Sequence, residues 1–280
     1  MQTRKRGELI MGNYIVCILL FCFLCPATSF SSDVLTGSGC SVSTTGYLID
    51  LAKEYEKETG VKMHIMGGGS PRGLADLSAG SVDFSAACKG KTPKDPDDIE
   101  FVQVAWDALV FIAHKSNPVN SITQMQVRDI YAGQIDNWKQ LGGPDMKLVS
   151  FISADSMGGV GQSLTNMVLN GKTPEMKGNS SKQASSAAIW EQLVEKTPEG
   201  FATTGFSSAR KRNVKMLRVN SIKPTKENIV SNKYPLKRPL YLVIKKNASA
   251  KTKRFIDYVL GPKAQKLIAS YGSIALAEIK

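Results

Sequence analysis

Two cysteines in glycine-rich loops are the residues of this chain best suited to chemistry. Cys40 lies in Thr36-Gly37-Ser38-Gly39-Cys40-Ser41 and Cys88 in Ser85-Ala86-Ala87-Cys88-Lys89-Gly90. Each follows a short apolar run, and in an open α/β sheet the ends of strands are where ligands bind. If the two preceding strands are neighbours, the thiols lie close together. They then have two fates: a disulfide, favoured by an oxidising compartment, or joint ligation of a soft metal or thiophilic metalloid such as trivalent arsenic. Nearby helix N-termini and Lys89 would favour the thiolate. Zinc is not expected, because His64 and His114 are the only histidines and neither is near a cysteine in sequence. Nucleophilic catalysis has no support either. There is no Gly-x-Ser-x-Gly elbow, and no spacing brings a histidine base to a thiol.

The elements that would position these loops follow from periodicity. Asp33–Thr36 reads as a strand running into a glycine turn. Tyr47–Thr59 reads as a helix with Tyr47, Leu48, Leu51 and Tyr55 on one face, stopped by Gly60. Val61–Met66 is strand-like and ends in Gly67-Gly68-Gly69-Ser70. Pro71–Ala79 is a short helix and Val82–Ala87 a third strand. This β-α-β-α-β order predicts a parallel sheet of order 2-1-3 with helices packed on it. Three strand-end loops, Gly37–Ser43, Gly67–Gly73 and Ala86–Gly90, then converge. Their glycines let backbone N–H groups approach an anion.

Further along, Ala108–His114 and Leu240–Ile244 are apolar strands that bracket a separate block. That block holds expected helices at Met125–Tyr131, Gln162–Leu169 and Ala187–Glu195, and strands at Lys147–Ile152 and Gly200–Phe206. An amphipathic stretch, Lys251–Tyr271, is broken at Gly261-Pro262. Two crossings predict two lobes, 33–107 with 244–280 and 108–243, with a small-ligand cleft between them.

Residues 1–29 carry Arg4, Lys5 and Arg6, an apolar run from Tyr14 to Leu24 and the small-x-small tripeptide Ala27-Thr28-Ser29. They read as an export signal, which would remove Cys17, Cys22 and Cys25. The chain has a formal charge of +12, enough to attract anions. Its basic residues are dispersed, without a basic block interleaved with aromatics, so nucleic acid is not expected as a partner. A monomer without cofactors is expected.

The chain resembles the periplasmic phosphate-binding proteins of ABC transporters across most of residues 33–280. The likeness is densest in Leu51–Gly60, Gly67-Gly68-Gly69-Ser70, Val82-Asp83-Phe84, Ile130-Tyr131-Ala132-Gly133 and Asn137-Trp138. It implies an α/β, two-lobed periplasmic binding protein fold, each lobe a mixed, mostly parallel sheet flanked by helices, closing on a tetrahedral oxyanion without catalysis. It also implies a site made by Ser38, Gly39, Cys40, Ser41, Gly68, Gly69, Ser70, Cys88 and Lys89, closed from the other side by Ser153 and Asp155–Gly159, including Met157, Gly158 and Gly159.

Two departures stand out. Cys88 occupies the place of an Asp or Ser that contacts the oxyanion in the family. Ser153 stands for the family's Arg, and Met157-Gly158-Gly159 for its Ser-Gly-Thr. Without that Arg a bidentate anion clamp is lost. The pattern is similar to the arsenic-oxyanion-sensing branch, whose members report to a membrane sensor histidine kinase. The expectation is arsenite captured with Cys40 and Cys88 as metalloid ligands. The alternative is the solute-binding subunit of an importer for phosphate or a similar anion, partnered by an ABC permease.

Overall fold

The computed structural model describes residues 34–153, 158–174 and 181–279; the expected export signal, Asp33 and the Ala154–Met157 stretch lie outside them. The first strand, β1 (Val34–Gly39), is flanked in parallel by β2 (Lys62–Met66) and β3 (Phe84–Ala87). This is the order 2-1-3 expected from the repeated strand–loop–helix pattern. Between β1 and β2 the chain is helical from Ser41 onward: α1 (Ser41–Ser43), a π-helical turn (Thr44–Leu48) and α2 (Ile49–Thr59) run on without a break. Tyr47, Leu48, Leu51 and Tyr55 are all buried. Gly60 ends the helix in the left-handed region at φ 76°, a conformation that costs glycine no Cβ clash. The helix starts earlier than its apolar face suggests because Gly37–Gly39 belong to the strand, not to a loop. At Gly39, φ is 129° and a Cβ would lie 2.3 Å from the Ala86 carbonyl oxygen.

After β2, α3 (Ser70–Ser78) opens with Pro71 and buries Leu74 and Leu77. The chain then returns through β3 and enters β4 (Ile99–His114), a single 16-residue strand. The sequence pattern showed only its second, uninterrupted apolar half. Its first half pairs antiparallel with β11 (Lys237–Lys245) and its second half with β8 (Gly200–Gly205). Between them lie β5 (Ser121–Ile122), β6 (Val149–Ser153), β7 (Ser181–Ala184), β9 (Val214–Met216) and β10 (Arg218–Val219). The main sheet has the order β2-β1-β3-β11-β4-β8-β6-β7, with β9 on β4, and β5 pairs β10 apart from it.

The result is a mixed α/β fold of two lobes, parallel at both ends of the sheet and antiparallel where β4 and β11 cross between them. Flanking it are α4 (Gln124–Tyr131), α5 (Gly159–Met167), α6 (Ala187–Lys196), α7 (Phe206–Ala209), α8 (Lys226–Val230), α9 (Ala250–Leu260) and α10 (Pro262–Ser270). The break between the last two is at Gly261-Pro262, where the ring of a proline fits the first helical turn. No helix among the described residues is long and apolar enough to cross a membrane.

Candidate functional site

Four helix N-termini meet around one cavity of about 220 Å³. Its walls come from Cys40-Ser41-Val42 at the start of α1, Gly69-Ser70-Pro71 at α3, Gly158-Gly159-Val160 at α5 and Ser185-Ser186-Ala187 at α6. None of these four ends has a side-chain cap. On three other helices a side chain does the capping: Thr123 on α4, Thr225 on α8 and Ser249 on α9 accept from backbone N–H groups. At α7 the Asp107 carboxylate takes the Ser207 N–H at 2.9 Å. The bare ends face a shared space, and each presents roughly half a positive charge. Trp190 also lines the cavity, and its buried indole N–H has no acceptor among the described residues.

The approach between opposite walls is close. A Cβ on Gly159 would lie 3.0 Å from both Cys88 Sγ and Ser70 Oγ, and Gly159 has φ 47°. Only glycine meets both demands without strain.

Cys40 and Cys88 are buried, free thiols at the ends of neighbouring strands, and the ionisation of each affects the other. Burial, and then the Cys88 sulfur beside it, push Cys40 well above the usual thiol range. The hydrogen bond from Cys40 holds Cys88 down at about 7, against the opposing effect of burial and with help from the Arg238 charge and Ser70. Of the two, Cys88 therefore loses its proton first, while Cys40 stays protonated. Ser70 Oγ stands 3.7 Å from Cys88 Sγ and accepts the Cys88 amide at 3.1 Å.

Arg238 and Asp107 sit beneath this pair on the crossing strands, opposite each other in register. Both are buried. Arg238 Nε and Nη2 donate to Asp107 Oδ2 at 3.1 and 2.9 Å, and Nη1 donates to Ser163 Oγ at 3.1 Å. Ser163 Oγ in turn lies 3.3 Å from the Cys88 carbonyl oxygen. The guanidinium is thus committed to Asp107, and the two charges cancel. Arg72, the only charged residue among the described lining, donates to Asp76. The cavity is an enclosure of helix ends, hydroxyls and two sulfurs.

Residues 26–263 match the model of the PBP superfamily domain. The chain belongs to the PBP superfamily. Among curated relatives, it is 33% identical over 181 residues to the phosphate-binding protein PstS of Borreliella burgdorferi, spanning 61% of this chain and 64% of that one. It is 26% identical over 254 residues to PstS of Bacillus subtilis, covering 89% of this chain and 83% of that protein. Among solved structures, a substrate-binding protein ascribed to a phosphate ABC transporter of Clostridium perfringens, with bound phosphate, superposes with a TM-score of 0.77 at 26% identity, over 87% of this chain and 99% of the other. A phosphate transport receptor of ABC type from Vibrio cholerae gives 0.64 at 27% identity, over 86% and 99%.

Of the residues expected at the site, Cys40, Ser41, Gly68, Gly69, Ser70, Cys88, Gly158 and Gly159 line this superfamily member's cavity. Ser38 and Gly39 lie behind them in β1, where Gly39 O accepts the Gly69 amide at 2.9 Å. Ser153 ends β6, and its side chain lies outside the described part of the structure. Met157 lies outside the described residues. Lys89 requires correction as a source of charge for an anion. Its Nζ is held by Asp95 at 2.6 and 2.8 Å, over the Phe101 ring, and it does not line the cavity. The Pro93–Pro96 loop thus supplies the carboxylate that withdraws this lysine.

Sequence reasoning missed Ser185, Ser186, Trp190, Asp107 and Arg238. A signal existed for the serines and for the charged pair. Ser185-Ser186 directly precedes a helix with apolar spacing, the usual place of a cap. Asp107 and Arg238 are charges set inside strand-like runs, where a buried charge needs a partner.

Proposed function

We propose that this chain is an exported solute-binding protein that captures a small tetrahedral oxyanion of the phosphate class in the cavity between its lobes and delivers it to a membrane permease. The convergence of four uncapped helix N-termini carries this reading. At about half a charge each they sum to about +2, which offsets a dianion without a buried cation. The PstS relatives and the phosphate-bound Clostridium structure support the ligand class and the transporter partner. Residues 1–29 serve as the export signal. No described lining residue pairs a nucleophile with a base, and in this reading the protein binds and releases its ligand unchanged.

A second reading is favoured by one observation, the Cys40–Cys88 pair. Arsenous acid, As(OH)₃, is neutral near neutral pH. Condensation with both thiols would form two S–As bonds, break two As–O bonds and release two waters, leaving a neutral (Cys-S)₂As–OH. Because Asp107 already balances Arg238, such an adduct adds no charge to a buried site. In this reading the closed protein reports arsenite to a membrane sensor histidine kinase.

Calorimetric titration of the reduced protein with phosphate, arsenate and arsenite separates the two. Binding of phosphate and arsenate that survives Cys88→Ser supports the first reading. Arsenite binding abolished by Cys88→Ser, and weakened by Cys40→Ser, supports the second. No heat with any of the three rejects both.

A further inference from the structure

We propose that Cys40 and Cys88 form a reversible disulfide, and that its state sets which chemistry the cavity offers: sulfur donors when reduced, helix ends and hydroxyls alone when oxidised. The effect on ligands rests on the readings above; the bond itself does not.

Placement supports the bond. Cys40 and Cys88 directly follow β1 and β3, parallel neighbours in the sheet. The register Gly39↔Ala86 sets Cys40 across from Ala87 and Cys88 one residue further on, so a lateral spacing of about 4.8 Å and a rise of about 3.3 Å put their Cα atoms about 5.8 Å apart, inside the roughly 4.4–6.8 Å that disulfides span. The Cys40 amide holds the Ala86 carbonyl at 2.8 Å, which keeps the two strand ends in step. Both thiols line the cavity, so a reagent in the cleft reaches them. No third ligand competes for them: among the described residues no group of three His, Cys, Asp or Glu side chains could hold a metal ion.

The oxidant is a disulfide, RSSR. The Cys88 thiolate attacks one of its sulfurs, forming a mixed disulfide and expelling RS⁻. The Cys40 sulfur then attacks Cys88 Sγ, closing the Cys40–Cys88 bond and expelling the second RS⁻. The Cys40 proton and one from solvent leave on two RSH molecules. Two electrons pass from the protein sulfurs to the reagent, and excess RSH reverses each step.

Neither sulfur of the disulfide can bond to arsenic. The helix N-termini are untouched, so an oxyanion held by them keeps its donors. One pair of atoms thereby switches the ligand class without moving an element of the fold.

The test uses the full exported chain, equilibrated in glutathione buffers of varied ratio, quenched by alkylation and mapped by peptide mass spectrometry. Mapping follows the Cys40 and Cys88 peptides individually. Desalted samples of each state are then titrated with arsenite and with phosphate. The expected result is a Cys40–Cys88 linked peptide that disappears on reduction, arsenite affinity at least 100-fold weaker in the oxidised state, and phosphate affinity equal in the two states within threefold. Only glutathione adducts or free thiols at every ratio would overturn the inference, as would a linked protein that binds arsenite unchanged. If the linked peptide forms but the reduced protein binds neither ligand, the proposed function fails while the disulfide stands.

Discussion

Gly159→Ala separates closure of the cleft from stability of the fold. Two effects act on the new methyl group. The first is backbone strain: at φ 47° an L-residue is in the left-handed region, at a cost of about 1–2 kcal/mol. That cost is paid whether the cleft is open or closed, and at about 2–4 °C per kcal/mol it lowers the melting temperature by about 2–8 °C. The second is contact. The Cβ would sit 3.0 Å from Cys88 Sγ and Ser70 Oγ, where unstrained neighbours stand about 3.5–4.0 Å apart. Parting the walls by that difference costs about 1–3 kcal/mol, and only when they meet. At 1.4 kcal/mol per factor of ten, ligand affinity falls by about 5- to 150-fold. Gly60→Ala is the control: φ is 76° with nothing within 4 Å of the added Cβ, so it carries strain alone. Calorimetric titration and thermal scans read the two effects separately. Equal affinities in Gly159→Ala and Gly60→Ala would refute the claim that Gly159 permits closure on Cys88.

Removing one member of the buried Asp107–Arg238 pair leaves a charge uncompensated, so Asp107→Ala should lose about 3–5 kcal/mol in denaturant unfolding; a loss below about 1 kcal/mol would show the pair to be dispensable. Lys89→Met should leave ligand affinity within about twofold of the parent while stability falls by about 1–3 kcal/mol, because Asp95 loses its partner; a large loss of affinity would return Lys89 to the site. Alkylation by iodoacetamide should modify Cys88 before Cys40. Its rate should rise with pH through a midpoint near 7, since Cys88 becomes the thiolate there while Cys40 stays protonated. A Cys88 midpoint in the ordinary thiol range would mean that neither Cys40 nor Arg238 stabilises the anion.

What could be read from sequence was local and repetitive. Three strands each followed by a glycine loop implied the order 2-1-3, and the helix stop at Gly60 and the break at Gly261-Pro262 fell where backbone chemistry puts them. The thiols were found because sulfur after a strand is unusual. The rest depended on contacts between distant segments. Lys89 stands next to Cys88 in the chain, but adjacent residues at a strand end project to opposite sides, and Asp95 was there to receive it. Arg238 and Asp107, 131 positions apart, become partners only through the register of β4 with β11. The serines before α6 look like an ordinary cap, and only the folded arrangement reveals that no side chain caps that helix among the described residues.

The position of β11 also bears on when this chain can fold. It lies between β3 and β4, yet it is the last strand synthesised. Until Lys237–Lys245 emerges, β3 lacks a neighbour on one side and the first half of β4 has nothing to pair with. The buried charge of Asp107 likewise waits for Arg238. Pairings this distant in sequence form slowly, so a nascent chain stays open for most of its synthesis. If the chain is exported as proposed, that delay is an asset, because the strand that completes the sheet arrives only after most of the chain has been threaded.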